Sequence, residues 1–140
     1  MIFGIGCDIA KVSRFEKWVR NHEMISRFFN SCEVVDLKEN SESAENLIDK
    51  KMQFLCEHYA ARFAAKEAFA KALGTGFVGL ELCDFGIIKD KNGRPSFSFG
   101  EKTSSLIERI CGKGAKVFVS ISHEKEYAVS YVLIETCTGV

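Results

Sequence analysis

Residues Ile2 to Ile9 alternate so that one side of a strand is left bare. By the two-residue period, Phe3, Ile5, Cys7 and Ile9 fall on one face, and Gly4, Gly6 and Asp8 on the other. A face without side chains lets a neighbour approach the backbone closely, and either a packed helix or a ligand would fit there. In the first case Asp8 caps or salt-bridges something. In the second it serves the ligand.

The rest of the pattern predicts an α+β fold, with a mainly antiparallel sheet packed against one long helix. Ser13, with Glu16 three residues later, reads as the N-cap and capping box of a helix that turns Phe15, Trp18 and Val19 inward. Arg14, Lys17 and Arg20 then spread over a neighbouring arc of roughly a third of the circumference. The stretch from Glu33 to Lys51 mixes charges with few large apolar residues. Its middle, Glu39 to Asn46, is expected to be an exposed loop or the loose start of a helix, and a variable insertion. The long helix is predicted over Met52 to Leu73, with Gly74 as its C-terminal cap. Leu82 to Ile88 and Pro95 to Phe99 read as strands joined by the turn Asp90 to Gly93. A helix over Lys102 to Cys111 ends at Gly112, and a last hairpin pairs Lys116 to Ser122 with Tyr127 to Glu135. No repeat or composition shift divides the chain, so residues 1–140 are expected to form a single domain.

Charge excludes some functions. Lys and Arg number 19, as do Asp and Glu, so the net charge is zero and bulk electrostatic binding to nucleic acid is not expected. The same neutrality leaves self-association unopposed. Charges interrupt every apolar stretch long before the roughly 18 residues of a membrane helix, and no targeting segment is visible. The six cysteines lie far apart with no Cys-x-x-Cys pair, which speaks against a zinc site. Without a secretory signal they are expected to be reduced and mostly buried, in a cytoplasmic protein.

Two carboxylates stand out. Asp8 closes the glycine face. Glu67 falls within about 40° of the stripe Cys56, Ala60, Phe63 on the long helix, where a carboxylate is costly unless paired. Lys71, one turn on, offers an ordinary ion pair. If Asp8 and Glu67 instead converge, two negative charges about 4 Å apart repel by roughly 4 kcal/mol at an effective dielectric of 20. A hard divalent cation would remove that penalty, and Mg²⁺ takes one or two carboxylates plus water and phosphate oxygens. Lys66 and Lys71 could hold further phosphate charge, and the His123 turn adds a switchable donor. The ensemble suggests metal-assisted transfer from a phosphate ester. Gly4-Ile5-Gly6 lacks the third glycine of a dinucleotide fingerprint, and there is no Walker loop. A nucleotide phosphotransferase of another kind is therefore a poor fit.

Gly4-Ile5-Gly6-Cys7-Asp8-Ile9, then Arg62-Phe63-Ala64-Ala65-Lys66-Glu67-Ala68-Phe69-Ala70-Lys71-Ala72 and Gly74-Thr75-Gly76, resemble holo-acyl-carrier-protein synthases. These are the short bacterial class of 4′-phosphopantetheinyl transferases. Asn92-Gly93-Arg94-Pro95 and Val119-Ser120-Ile121-Ser122-His123 are similar to the family's later blocks, in the same order. Ala64 stands where the wider family has a small polar residue, and the acidic stretch 39–50 is longer than usual.

The resemblance implies the 4′-phosphopantetheinyl transferase fold and an enzyme of lipid biosynthesis. It would move the phosphopantetheine arm of coenzyme A onto a serine of an apo acyl carrier protein, with Mg²⁺, releasing adenosine 3′,5′-bisphosphate. Asp8 and Glu67 match the metal-binding carboxylates, and with Lys71 they form the catalytic set. Arg62, Lys71, Gly74, Thr75, Asn92, Gly93, Pro95 and His123 match coenzyme A-binding positions. Arg14 and Arg27 match residues that meet the carrier. Short members are homotrimers with sites between subunits. The alternative is a non-catalytic module that binds coenzyme A or the carrier, which would need Lys71 and the basic helix but not both carboxylates.

Overall fold

A computed structural model describes residues 1–36 and 45–137, with side chains of the long helix from residue 49 onward. Strand β1 (Ile2–Lys11) leads through a 3-10 turn at Val12–Phe15 into two short helices, α1 (Glu16–Val19) and α2 (His22–Phe28). A second 3-10 turn, Ser31–Glu33, precedes the long helix α3 (Glu45–Leu73). Strands β2 (Phe85–Lys89) and β3 (Pro95–Phe99), helix α4 (Glu101–Cys111), and strands β4 (Lys116–His123) and β5 (Tyr127–Glu135) follow. The sheets are antiparallel throughout: β1-β5-β4 in one, β2-β3 in the other.

The bare face of β1 belongs to a helix. An ideal Cβ on Gly4 would stand 2.1 Å from the Ala72 carbonyl oxygen, and one on Gly6 would stand 1.8 Å from that of Ala68. The strand therefore runs directly against the backbone of α3, along its small residues Ala64, Ala68 and Ala72, which are all buried. Close approach forbids any side chain on the strand, and alanine alone suits the helix. Aromatic clusters fill the space on either side. Phe15, Trp18, Phe29, Tyr59 and Phe63 pack towards α1 and α2, while Phe69 meets Phe85, Phe97 and Phe99 with ring centroids 5.2–5.3 Å away. The opposite face of β1 is left outward. Phe3, Ile5 and Ile9 are exposed there, beside Tyr131 of β5 and Phe118 of β4.

Several local expectations need correction. The Ser13–Glu16 capping box does not form: Lys11 and Phe15 occupy the N-cap positions, and neither makes a side-chain cap. The capping residues that do form bonds are Asn21, which accepts from the backbone of Glu23 and Met24, and Asn30 with Glu33, a reciprocal box. The long helix begins at Glu45 rather than Met52, because residues 45–51 contain no glycine or proline to stop it. Of the expected loop over 39–46, residues 39–44 lie outside the described residues. Leu82–Asp84 is a 3-10 turn, so β2 starts only at Phe85. Just Cys56 and Cys111 are buried, whereas Cys7, Cys32 and Cys137 are exposed and Cys83 is half-buried.

Candidate active site

Three residues converge where the glycine face of β1 meets the last turns of α3. Lys71 Nζ lies 2.9 Å from Asp8 Oδ1 and also donates to the Cys7 carbonyl at 2.9 Å. Glu67 is half-buried one turn before Lys71. Burial raises its pKa, and the negative charge of Asp8 raises it further, while Lys71 and Arg14 pull it down. The two carboxylates thus feel each other, and the ammonium of Lys71 sits on one of them. That arrangement replaces the simple Glu67–Lys71 pair: the lysine reaches across to the strand instead of along its own helix. Hydrogen bonding to Asp8 raises the Lys71 pKa in turn. Among the described residues no cluster of three or more His, Cys, Asp or Glu forms a closed metal site. Asp8 and Glu67 could hold one hard cation only with oxygens from water or a bound phosphate, which is how an open site for a phosphate ester is built.

Arg14 is drawn to this centre from the 3-10 turn after β1. Its guanidinium lies 5.3 Å from the Phe63 ring centroid and 5.9 Å from that of Trp18, with the head in solvent. Gly74 takes a φ of +79° and closes α3, and Thr75 follows in the turn. Arg27 stands apart on α2, against Phe28.

Other expected residues face elsewhere. Arg62 precedes Glu67 by five positions, about 140° around the helix, and looks towards Cys32 and Glu33. One terminal nitrogen donates to the His58 carbonyl, while its buried Nε has no hydrogen-bond partner among the described residues. Asn92 and Gly93 belong to the exposed β2–β3 hairpin turn, which Asp90 fastens by accepting from the backbone of Asn92 and Arg94, and Pro95 opens β3 opposite Lys89. His123 ends β4 with Nδ1 3.8 Å from Glu57 Oε2. Glu57 is about 15 Å along α3 from Glu67.

Lys66 contradicts the expectation that it holds phosphate. It is fully buried and salt-bridged to buried Glu33 at 2.7 Å, so it cannot reach a ligand. Glu33 itself escaped sequence reasoning, as did His58. Burial pushes the His58 pKa down to about 4, and Nε2 must carry the proton because its partner, 2.6 Å away, is the Glu33 carbonyl. The available signal was Asn30 followed three residues later by Glu33, a capping pattern hidden in a charged stretch.

The geometry can be compared with known proteins. A family model described as the 4′-phosphopantetheinyl transferase superfamily matches residues 4–132. The holo-(acyl-carrier-protein) synthase of Treponema denticola is 42% identical over 136 residues, 96% of this chain and 99% of that protein. The crystal structure of a holo-(acyl-carrier-protein) synthase from Bacillus anthracis, in complex with CoA (3′,5′-ADP), is 31% identical. It covers 98% of this chain and 99% of that one, with a TM-score of 0.70. The Plasmodium yoelii acyl carrier protein synthase with ADP bound is 29% identical, covers 99% and 98%, and has a TM-score of 0.76. With the match running from the glycine face of β1 to the middle of β5, the chain belongs to the 4′-phosphopantetheinyl transferase superfamily.

Proposed function

We propose that this protein, as one transferase domain over 1–140, moves the 4′-phosphopantetheine arm of coenzyme A to a serine hydroxyl of an apo acyl carrier protein. The serine oxygen forms a bond to the β-phosphorus, the pyrophosphate P–O bond breaks, and adenosine 3′,5′-bisphosphate leaves. The observation that carries this reading is the meeting of Asp8, Glu67 and Lys71 on the glycine face. Asp8 and Glu67 would hold Mg²⁺, which when bound polarises phosphate oxygens and offsets charge on the leaving group. Lys71, released from Asp8, is within reach of the same phosphates. Glu67, whose proton affinity is raised, or a water beside it would receive the serine proton. Arg14 meets both the centre and the solvent, and suits an acidic carrier surface, while Arg27, apart on α2, would offer that partner a second contact.

Arg62, His123 and the Asn92–Pro95 turn cannot all serve one small centre in one chain. Arg62 looks away from Glu67 around the helix, and His123 lies well along it. A homotrimer with sites between subunits accounts for this division, the second copy supplying the coenzyme contacts of Arg62 and His123. The outward apolar face of the three-stranded sheet supports that assembly, since Ile5 is 66% exposed and Ile9 64%. Free thiols at all six cysteines support a cytoplasmic setting. No helix among the described residues is long and apolar enough to cross a membrane.

The test is incubation with coenzyme A, Mg²⁺ and an apo carrier, reading the carrier by mass spectrometry. The expected result is a gain of one phosphopantetheine. A folded protein that leaves the carrier unchanged overturns the reading.

A further inference from the structure

Directly behind Glu67 in the sequence, Lys66 points into the core. Its ammonium has three protons and three acceptors: Glu33 Oε1 at 2.7 Å, the Leu82 carbonyl at 2.8 Å, and the Phe85 carbonyl. Both oxygens of Glu33 are bonded as well. Oε1 also accepts from the Asn30 backbone at 3.0 Å, and Oε2 from the Ile87 backbone at 3.1 Å. Gly86 admits the carboxylate, because a Cβ there would stand 2.7 Å from Glu33 Cδ. The pair therefore ties α3 to the Ser31–Glu33 turn, the Leu82–Asp84 turn and β2 through directed bonds.

A buried, fully bonded ion pair adds little stability over apolar side chains of the same size. What it adds is direction. On its other side α3 lies on Gly4 and Gly6 through close backbone contacts that are not directed bonds, and Lys71, at the end of the helix, ties it to Cys7 and Asp8 through a long flexible side chain. A carboxylate about 6 Å from a helix axis moves about 1 Å for a 10° roll, and misplacement on that scale costs on the order of 100-fold in rate.

We infer that Glu33 and Lys66 are positioning residues: their buried pair sets the roll of α3 and so holds the Glu67 carboxylate opposite Asp8. This rests on the proposed role of Asp8 and Glu67 as the metal-binding carboxylates. It gives Lys66 and Glu67 complementary tasks, one fixing the helix and the other presenting the ligand.

The experiment replaces both charges at once, Glu33→Met with Lys66→Met, so that no lone charge is left buried. Three quantities are read: the urea midpoint, kcat and KM for coenzyme A, and the affinity for Mn²⁺ alone by electron paramagnetic resonance. The double variant also leaves the Asn30 and Ile87 N–H groups and the Leu82 and Phe85 carbonyls without these partners, so its urea midpoint is expected to fall. In the protein that remains folded in buffer, KM is expected to hold while kcat falls at least tenfold and Mn²⁺ binds at least fivefold more weakly. Unchanged kcat and Mn²⁺ affinity in a folded double variant would overturn the inference. If the double variant fails to fold, Asn30→Ala serves instead. It removes the side chain that donates to the Cys83 carbonyl at 2.8 Å and accepts from the Cys32 backbone at 3.0 Å, loosening the turn that carries Glu33. A few-fold loss in kcat and Mn²⁺ affinity at constant KM is expected, and no loss in either refutes the device. A wild-type protein that binds Mn²⁺ without modifying the carrier would defeat the transferase reading, and the Mn²⁺ comparison would still judge the pair.

Discussion

Replacing Gly6 with alanine adds one methyl group, and the structure says where it must go. The new Cβ would stand 1.8 Å from the Ala68 carbonyl oxygen and 2.8 Å from both the Ala68 carbonyl carbon and the Ala72 nitrogen. All three are helix backbone, so no side chain can swing aside. Restoring ordinary contact requires α3 to retreat from β1 by more than about 1 Å. Overpacking of this kind costs about 1–3 kcal/mol, and a rigid obstacle places it at the upper end. Reduced freedom of the unfolded chain returns only about 0.4–1 kcal/mol, so destabilisation wins. The retreat also pulls Glu67, next to Ala68, away from Asp8, two residues beyond Gly6. A shift of that size predicts roughly a 100-fold loss of turnover. Urea unfolding reads the first effect and the rate of carrier mass gain the second. Gly4→Ala is the control. Its obstacle is the Ala72 carbonyl, farther from Glu67, so it should cost similar stability and less turnover. A Gly6→Ala protein with wild-type midpoint and rate would refute the account of the helix lying directly on the strand.

Asp8→Asn and Glu67→Gln should each lower turnover at least about 100-fold, and a chelator should abolish it in the wild type, as followed by carrier mass; near-normal rates in either variant would dismiss their shared role. Ile5→Glu alters a side chain that one copy leaves 66% exposed, so the fold should survive while light scattering reports single chains and activity is lost. His58 is neutral in the fold down to about pH 4 but ionises near 6.5 when unfolded, so below pH 6.5 the unfolded state binds the extra proton. Stability is then complete above pH 6.5 and declines towards pH 4 by about 2 kcal/mol after allowing for partial exposure, and His58→Gln should flatten that part of a melting-temperature profile.

The order of elements was legible because its signals are local. Alternation marked β1, alanine and a final glycine marked α3, and Asn92-Gly93 marked the β2–β3 turn. Capping was misread at Ser13 because the chain leaves β1 in a 3-10 turn, which gives the serine no helix end to cap. Which face of β1 turns inward is also not a local property. The glycine row left open whether a helix or a ligand meets it. The structure puts α3 there, because a helix of alanines gains closer contact from bare backbone than from side chains, and Phe3, Ile5 and Ile9 are exposed on the other face.

The site was legible only to the depth that helical spacing reaches. Lys66 and Lys71 are five residues apart, about 140° around α3, and that angle sends one ammonium into the core and the other to Asp8. The sequence shows two lysines near a glutamate. It does not show that a turn more than thirty residues earlier carries a carboxylate to meet one of them. Glu33 looks like one more charge in a polar stretch until β2 and α3 close over it. Long-range pairing of this kind leaves no periodic trace, because its cause lies in how three separate elements dock. For the same reason Arg62 and Glu67 share one motif in the chain yet look in different directions, one towards Glu33 and the other towards Asp8.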